Sequence, residues 1–206
     1  MASFFSMRPH YDMHIPRIGF SLTALVLFFF IASVQAQQPN PGKLAQCMAC
    51  HGPQGNSVIP QFPSLAGQPK LFIENQLVLI REGLRDIAAM KGQLDGMNDA
   101  ELVAMANYFS SQKLTPVSAG PINTARFESG KLMARQALCG TCHLPDYSGR
   151  QQIPRLAGQH EAFLLDSMKQ FRDHAGLGRD TVMSAALHGF KDNELADLAH
   201  FLANTK

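Results

Sequence analysis

The sequence has no tryptophan, and charge is sparse: 17% of 206 residues, with bases exceeding acids by only two. A net charge of +2 without a basic cluster leaves no electrostatic footprint for nucleic acid. Cysteine is scarce too, and four are too few for a scaffold stapled by disulfides. Alternating runs of β-branched residues bounded by turns are absent, so nothing reads as a strand. What is present is an apolar fraction of 46%, enough to build cores and too high for a disordered chain. The length allows one or two domains.

The N-terminus stands apart. Arg8 and Arg17 precede a charge-free stretch from Ile18 to Val34, and Val34-Gln35-Ala36 puts small residues at the −3 and −1 positions of a cleavage site. This order predicts a secretory signal peptide over residues 1–36. The alternative is an uncleaved anchor, because the apolar stretch is at the short end of a membrane span. Either way the remainder is exported.

The remainder is a duplication. Cys47-Met48-Ala49-Cys50-His51 returns as Cys139-Gly140-Thr141-Cys142-His143, an offset of 92. Pro63-Ser64-Leu65-Ala66-Gly67-Gln68 returns as Pro154-Arg155-Leu156-Ala157-Gly158-Gln159 at 91, and Asp99 and Glu101-Leu102 return as Asp192 and Glu194-Leu195 at 93. So long a period is no solenoid unit, and each copy must close its own small core. Between the copies, Gln112 to Thr124 holds two prolines and a glycine without apolar periodicity. The expected domains are 37–113 and 124–206, joined by a linker at 114–123.

Both copies have helical patterns. Leu71 to Ile80 and Phe163 to Phe171 carry helix-spaced apolar residues, and Leu102, Met105, Ala106 and Phe109 fall at i, i+3, i+4 and i+7. Asn98 and Glu101 suit a capping box, and Asp192 is the expected cap of the equivalent helix. The fold class is all-α, twice over.

C-x-x-C-H is the attachment signature of c-type haem. One helical turn projects both cysteines toward the haem vinyl groups, and the adjacent histidine turns under the iron. A thioredoxin-like pair needs no histidine there, a two-pair zinc site wants a far shorter gap, and a disulfide between cysteines three apart closes a trivial loop. Cys47, Cys50, His51 and Cys139, Cys142, His143 are therefore expected to hold two haem groups.

The sixth ligand is selected by the repeat. Met97 and Met105 map onto Phe190 and Leu198, which cannot ligate, whereas Met90 maps onto Met183. Methionine closes the iron to substrate and raises its potential. His160, His174, His188 and His200 have no histidine in the other copy and are expected to line helices or the surface. Each haem histidine also needs an acceptor for its second ring nitrogen, and the carbonyls of Pro63 and Pro154 are the candidates.

With these motifs in place, the chain resembles the dihaem cytochromes of the cytochrome c4 type over residues 43–204. The first copy, CMACHGPQGNS…FPSLAGQ…REG…M…DAEL, is the closer match. The second reads HLPDYSGR after its cysteines. The resemblance implies two class I cytochrome c domains packed face to face, carrying two covalently bound haem c. It also implies a periplasmic electron carrier, not an enzyme, working between a quinol-oxidising complex and a terminal oxidase or reductase. Membrane contact is expected only through such partners or a retained signal segment. A second reading is the dihaem subunit of a periplasmic dehydrogenase, such as a sulfide-oxidising flavocytochrome. The third, a dihaem peroxidase, needs an open iron and a longer chain. Because Arg150 and Arg155 lie where Gly52 to Ser64 carries no charge, the C-terminal haem is expected to have the higher potential.

Overall fold

The computed structural model describes residues 38–115, 121–174 and 178–206. The signal segment expected over 1–36 and half of the linker expected at 114–123 lie outside them. Among the described residues there are only helices and turns, apart from one isolated bridge between Arg150 and Ile153. None of these helices is long and apolar enough to cross a membrane.

In the first half, α1 (Pro41–His51), α2 (Lys70–Arg81) and α3 (Asp99–Ser111) surround a core of Ile73, Leu94, Met97, Leu102, Met105 and Phe109. In the second half, α4 (Thr124–Gln136) and α5 (Cys139–His143) are followed by α6 (Glu161–Asp173), α7 (Thr181–Leu187) and α8 (Asp192–Asn204). Their core includes Leu164, Met168, Leu187, Leu195, Leu198 and Phe201. The helices expected from Leu71, Asn98 and Phe163 are all present: the first and third extend one or two residues beyond each expected end, and the second starts at Asp99 with Asn98 as its cap.

Helix starts follow local chemistry. Asn40 accepts from the amides of Gly42 and Lys43, with proline in the first turn, and Asn98 and Glu101 complete the expected capping box. Asp192 does not cap α8: it is the first helical residue, and Glu194 instead accepts from the Lys191 amide. This leaves Asp192 free to pair with Lys169 and Arg172.

The duplication extends to tertiary bonds. Arg81 donates to the Met97 carbonyl and pairs with Asp99, while Arg172 donates to the Phe190 carbonyl and pairs with Asp192. Gly67 donates to the Phe109 carbonyl, and Gly158 to that of Leu202. These braces tie α2 and α6 to the starts of α3 and α8, and each L-A-G-Q segment to the C-terminal helix of its half.

The two halves interlock through that segment. Gln159 accepts from the Ser64 amide at 2.8 Å and donates to the Ser64 carbonyl at 2.9 Å. Gln68 accepts from the Arg155 amide at 2.9 Å and donates to the Arg155 carbonyl at 3.0 Å. The Arg155 guanidinium reaches the Gly67 carbonyl, and His160 Nε2 donates to the Ser57 carbonyl at 2.9 Å. Gln68, Gln159, His160 and Ser64 are all buried, so each of these bonds is worth about 0.5–1.5 kcal/mol net and costs more when broken on one side.

The edges of the linker are tied down separately. Asn56 donates to the Lys113 carbonyl and accepts from the Thr115 amide, while the Asn123 amide donates to His200 Nε2.

Candidate haem sites

Each pentad ends its helix on the histidine. His51 closes α1 and His143 closes α5, and both rings are buried while Cys50 and Cys142 are exposed and Cys47 and Cys139 half-buried. The chain then turns sharply. Gly52 has φ +77°, and a Cβ there would meet the Asn56 carbonyl oxygen at 1.9 Å. Its counterpart Leu144 has φ 69° and ψ 158°, a region nearly reserved for glycine. The turn is thus imposed on both copies, and the second carries it with strain.

The histidines are fixed alike. His51 Nδ1 lies 2.9 Å from the Pro63 carbonyl and His143 Nδ1 lies 2.9 Å from that of Pro154, as the sequence suggested. Burial pushes both rings below the ordinary histidine value, so they are neutral and each Nδ1–H donates. The other nitrogen then carries a bare lone pair. His143 Nε2 is buried with no hydrogen-bond partner, which a buried polar atom rarely tolerates unless it has a ligand role. A neutral imidazole held at Nδ1 by a backbone carbonyl can donate the free Nε2 lone pair to an iron.

The cysteines agree. Burial raises the Cys47 and Cys139 thiols above their ordinary value, the reverse of the depressed thiol that a redox-active C-x-x-C pair needs. Among the described residues no cluster of histidine, cysteine and carboxylates could hold a metal ion by itself.

The two methionines expected as ligands are placed one per core. Met90 ends a 3-10 turn and packs on the first core together with Cys47, while Met183 lies in α7 and packs on the second together with Cys139. A cavity of about 300 Å³ adjoins Met90, bordered by Ile80, Arg81, Arg85 and Leu94. Arg85 is half-buried and bonded to Gln76, with no carboxylate partner among the described residues. Burial and the nearby Arg179 bring its pKa down to about 10. Uncompensated positive charge of this kind suits the carboxylates of a haem.

Two histidines depart from expectation. His160 is buried at the contact between the halves, and His200 is buried between Asn123 and Glu161, whose carboxylate lies 2.8 Å from Nδ1. His188 is exposed. Arg155 also departs, because its guanidinium crosses to the first half and its charge does not belong to the second alone.

Comparison with known proteins decides the family. A cytochrome c family model matches residues 127–206, and a model for subunit III of the cbb3-type cytochrome c oxidase matches residues 42–109. Cytochrome c4 of Azotobacter vinelandii is 33% identical over 78% of this chain and 85% of its own length. The chain belongs to the cytochrome c4 family. The crystal structure of reduced recombinant cytochrome c4 from Pseudomonas stutzeri superimposes with a TM-score of 0.73 at 31% identity, covering 80% of this chain and 96% of that one. A thiosulfate dehydrogenase electron acceptor of Thiomonas intermedia is 31% identical over 67% of this chain and 68% of its own length. As a cytochrome c4-type protein, the chain comprises two class I cytochrome c domains, carries two covalently bound haem c, and is an electron carrier, not an enzyme.

Proposed function

We propose that Cys47 and Cys50 hold one haem by thioethers and Cys139 and Cys142 the other. His51 and His143 are the proximal ligands, and Met90 and Met183 close the opposite faces. The observation that carries this reading is the matched anchoring of the two histidines by Pro63 and Pro154, with His143 Nε2 left bare in the core. When bound, each haem supplies a one-electron couple at its iron. The chain's own residues then do three things. The cysteines fix the ring, the proline carbonyls hold the imidazole protons and set ligand basicity, and the apolar cores exclude water so that charge change at the iron is small in reorganisation.

The domains run over 37–113 and 124–206, and residues 1–36 export the chain to the periplasm. There it carries electrons between a quinol-oxidising complex and a terminal oxidase or reductase. A second reading, the dedicated acceptor of a periplasmic dehydrogenase, is favoured by the likeness to the thiosulfate dehydrogenase electron acceptor. Co-purification with a dehydrogenase would support it. Carbon monoxide added to the dithionite-reduced protein tests the ligand set. An unchanged spectrum is expected, and a carbonyl band would show an open iron and overturn methionine ligation at that haem.

A further inference from the structure

The peptide that accepts from each haem histidine is itself held from the other half. Pro63 C=O and Ser64 N–H belong to one amide: the carbonyl accepts from His51 Nδ1, and the N–H donates to Gln159 Oε1 at 2.8 Å. Pro154 C=O and Arg155 N–H form the equivalent amide, accepting from His143 Nδ1 and donating to Gln68 Oε1 at 2.9 Å. Each glutamine also donates to the carbonyl of the residue whose amide it accepts from, so its orientation is fixed at both ends. Both side chains are buried, which keeps water from replacing them.

We propose that Gln68 and Gln159 are crossed positioning residues, each polarising the peptide that anchors the opposite half's haem histidine, so that each haem's potential is set in part by the other domain. Hydrogen bonds in a chain strengthen one another. An acceptor on the amide N–H makes the proline carbonyl a stronger acceptor, which draws the imidazole proton and makes the ring a better donor to iron. A more basic ligand favours the oxidised iron. Removing the glutamine therefore raises the potential of the haem across the interface.

The inference rests on the ligand assignment above, and its test separates the two. In the oxidised wild-type holoprotein, the ring Nδ1–H resonances of His51 and His143 must be hyperfine-shifted; their absence overturns the ligand assignment itself. Redox titration of Gln68→Met and Gln159→Met, with the haems distinguished by those resonances, then reads the crossing. Gln68→Met is expected to raise the wave belonging to His143 and leave that of His51, and Gln159→Met to do the converse. Movement of the haem in the glutamine's own half, equal movement of both, or no movement overturns the proposal. So does an equal shift from His160→Ala, which removes the ring's bond to the Ser57 carbonyl across the interface while keeping both glutamines and every backbone amide that donates to them, that of His160 included. Where a methionine variant does not retain haem, the asparagine variant reads the same wave. Loss of both haems in every variant also overturns the proposal, because a crossed role leaves one haem intact.

Discussion

The two halves solve one problem with different margins. In the first, a single helix runs straight into the C-M-A-C-H pentad, and glycine occupies the turn behind the histidine at Gly52 and the close approach at Gly55. In the second, α4 stops at Gln136, Leu138 takes a left-handed conformation, and the pentad forms a separate short helix. Leu144 and Tyr147 replace the two glycines, both at positive φ. The second half compensates elsewhere. Tyr147 packs edge-on against Phe201 with ring centroids 5.4 Å apart, and Phe201 also receives Phe127. Gly130 lets α4 approach α8 so closely that a Cβ would meet the Asp197 carbonyl oxygen at 2.1 Å. The haem-binding turn is therefore relaxed where the surrounding packing is light and strained where the packing is dense.

The comparison breaks most completely at the cysteines. Replacing Cys139 and Cys142 together by alanine should leave a protein with one haem, and the Cys47 and Cys50 pair should give the converse; intact-mass measurement counts the haems. Retention of both would refute the attachment sites. Next come the methionines. Met90→His and Met183→His should each lower only one wave in a redox titration, by a few tenths of a volt within the about 0.8 V that axial ligands span. A single substitution that moves both waves equally would mean that the methionines are not separate ligands.

Exchanging the turn residues sharpens the contrast. Gly52→Leu should cost at least about 2 kcal/mol, since it adds a clash to an unfavourable φ. Leu144→Gly should instead be neutral or stabilising by up to about 1 kcal/mol, because about 1–3 kcal/mol of backbone strain outweighs a half-buried side chain. Denaturant unfolding of the holoproteins measures both, and equal losses would remove the distinction between the halves. The smallest effect concerns acid. Lys169 and Arg172 hold the Asp192 carboxyl below the ordinary aspartate value. Its contribution to the second half is present above the unfolded pKa, near 4, and fades as pH falls through the lower folded value. An acid titration of Asp192→Asn should lack that part of the slope.

Much of this was legible in local pattern. The pentads, the proline acceptors and the helices from Leu71, Asn98 and Phe163 depend on residues near one another in sequence, and they lie where spacing put them. Features that depend on docking were not legible. Gln68 and Gln159 were visible as a repeated letter, but only contact between the halves gives their amides partners. His160, with no histidine in the other copy, reads as lining a helix or the surface for the same reason, and the Arg155 charge is not confined to the second half because its side chain crosses the interface. Asp192 is displaced from the cap by its neighbour: Glu194 accepts from the Lys191 amide just outside the helix, and the aspartate pairs with Lys169 and Arg172.

The tied linker edges have a consequence for how often the halves part. With Thr115 held by Asn56 and Asn123 by His200, eight residue steps separate the two anchors. At about 3.3–3.6 Å per residue these reach roughly 29 Å at most. Each half therefore faces the other at an effective concentration in the millimolar range. A contact of only about 10 μM intrinsic affinity would then be closed about 99% of the time. The halves therefore stay together without the interface having to bind tightly in its own right.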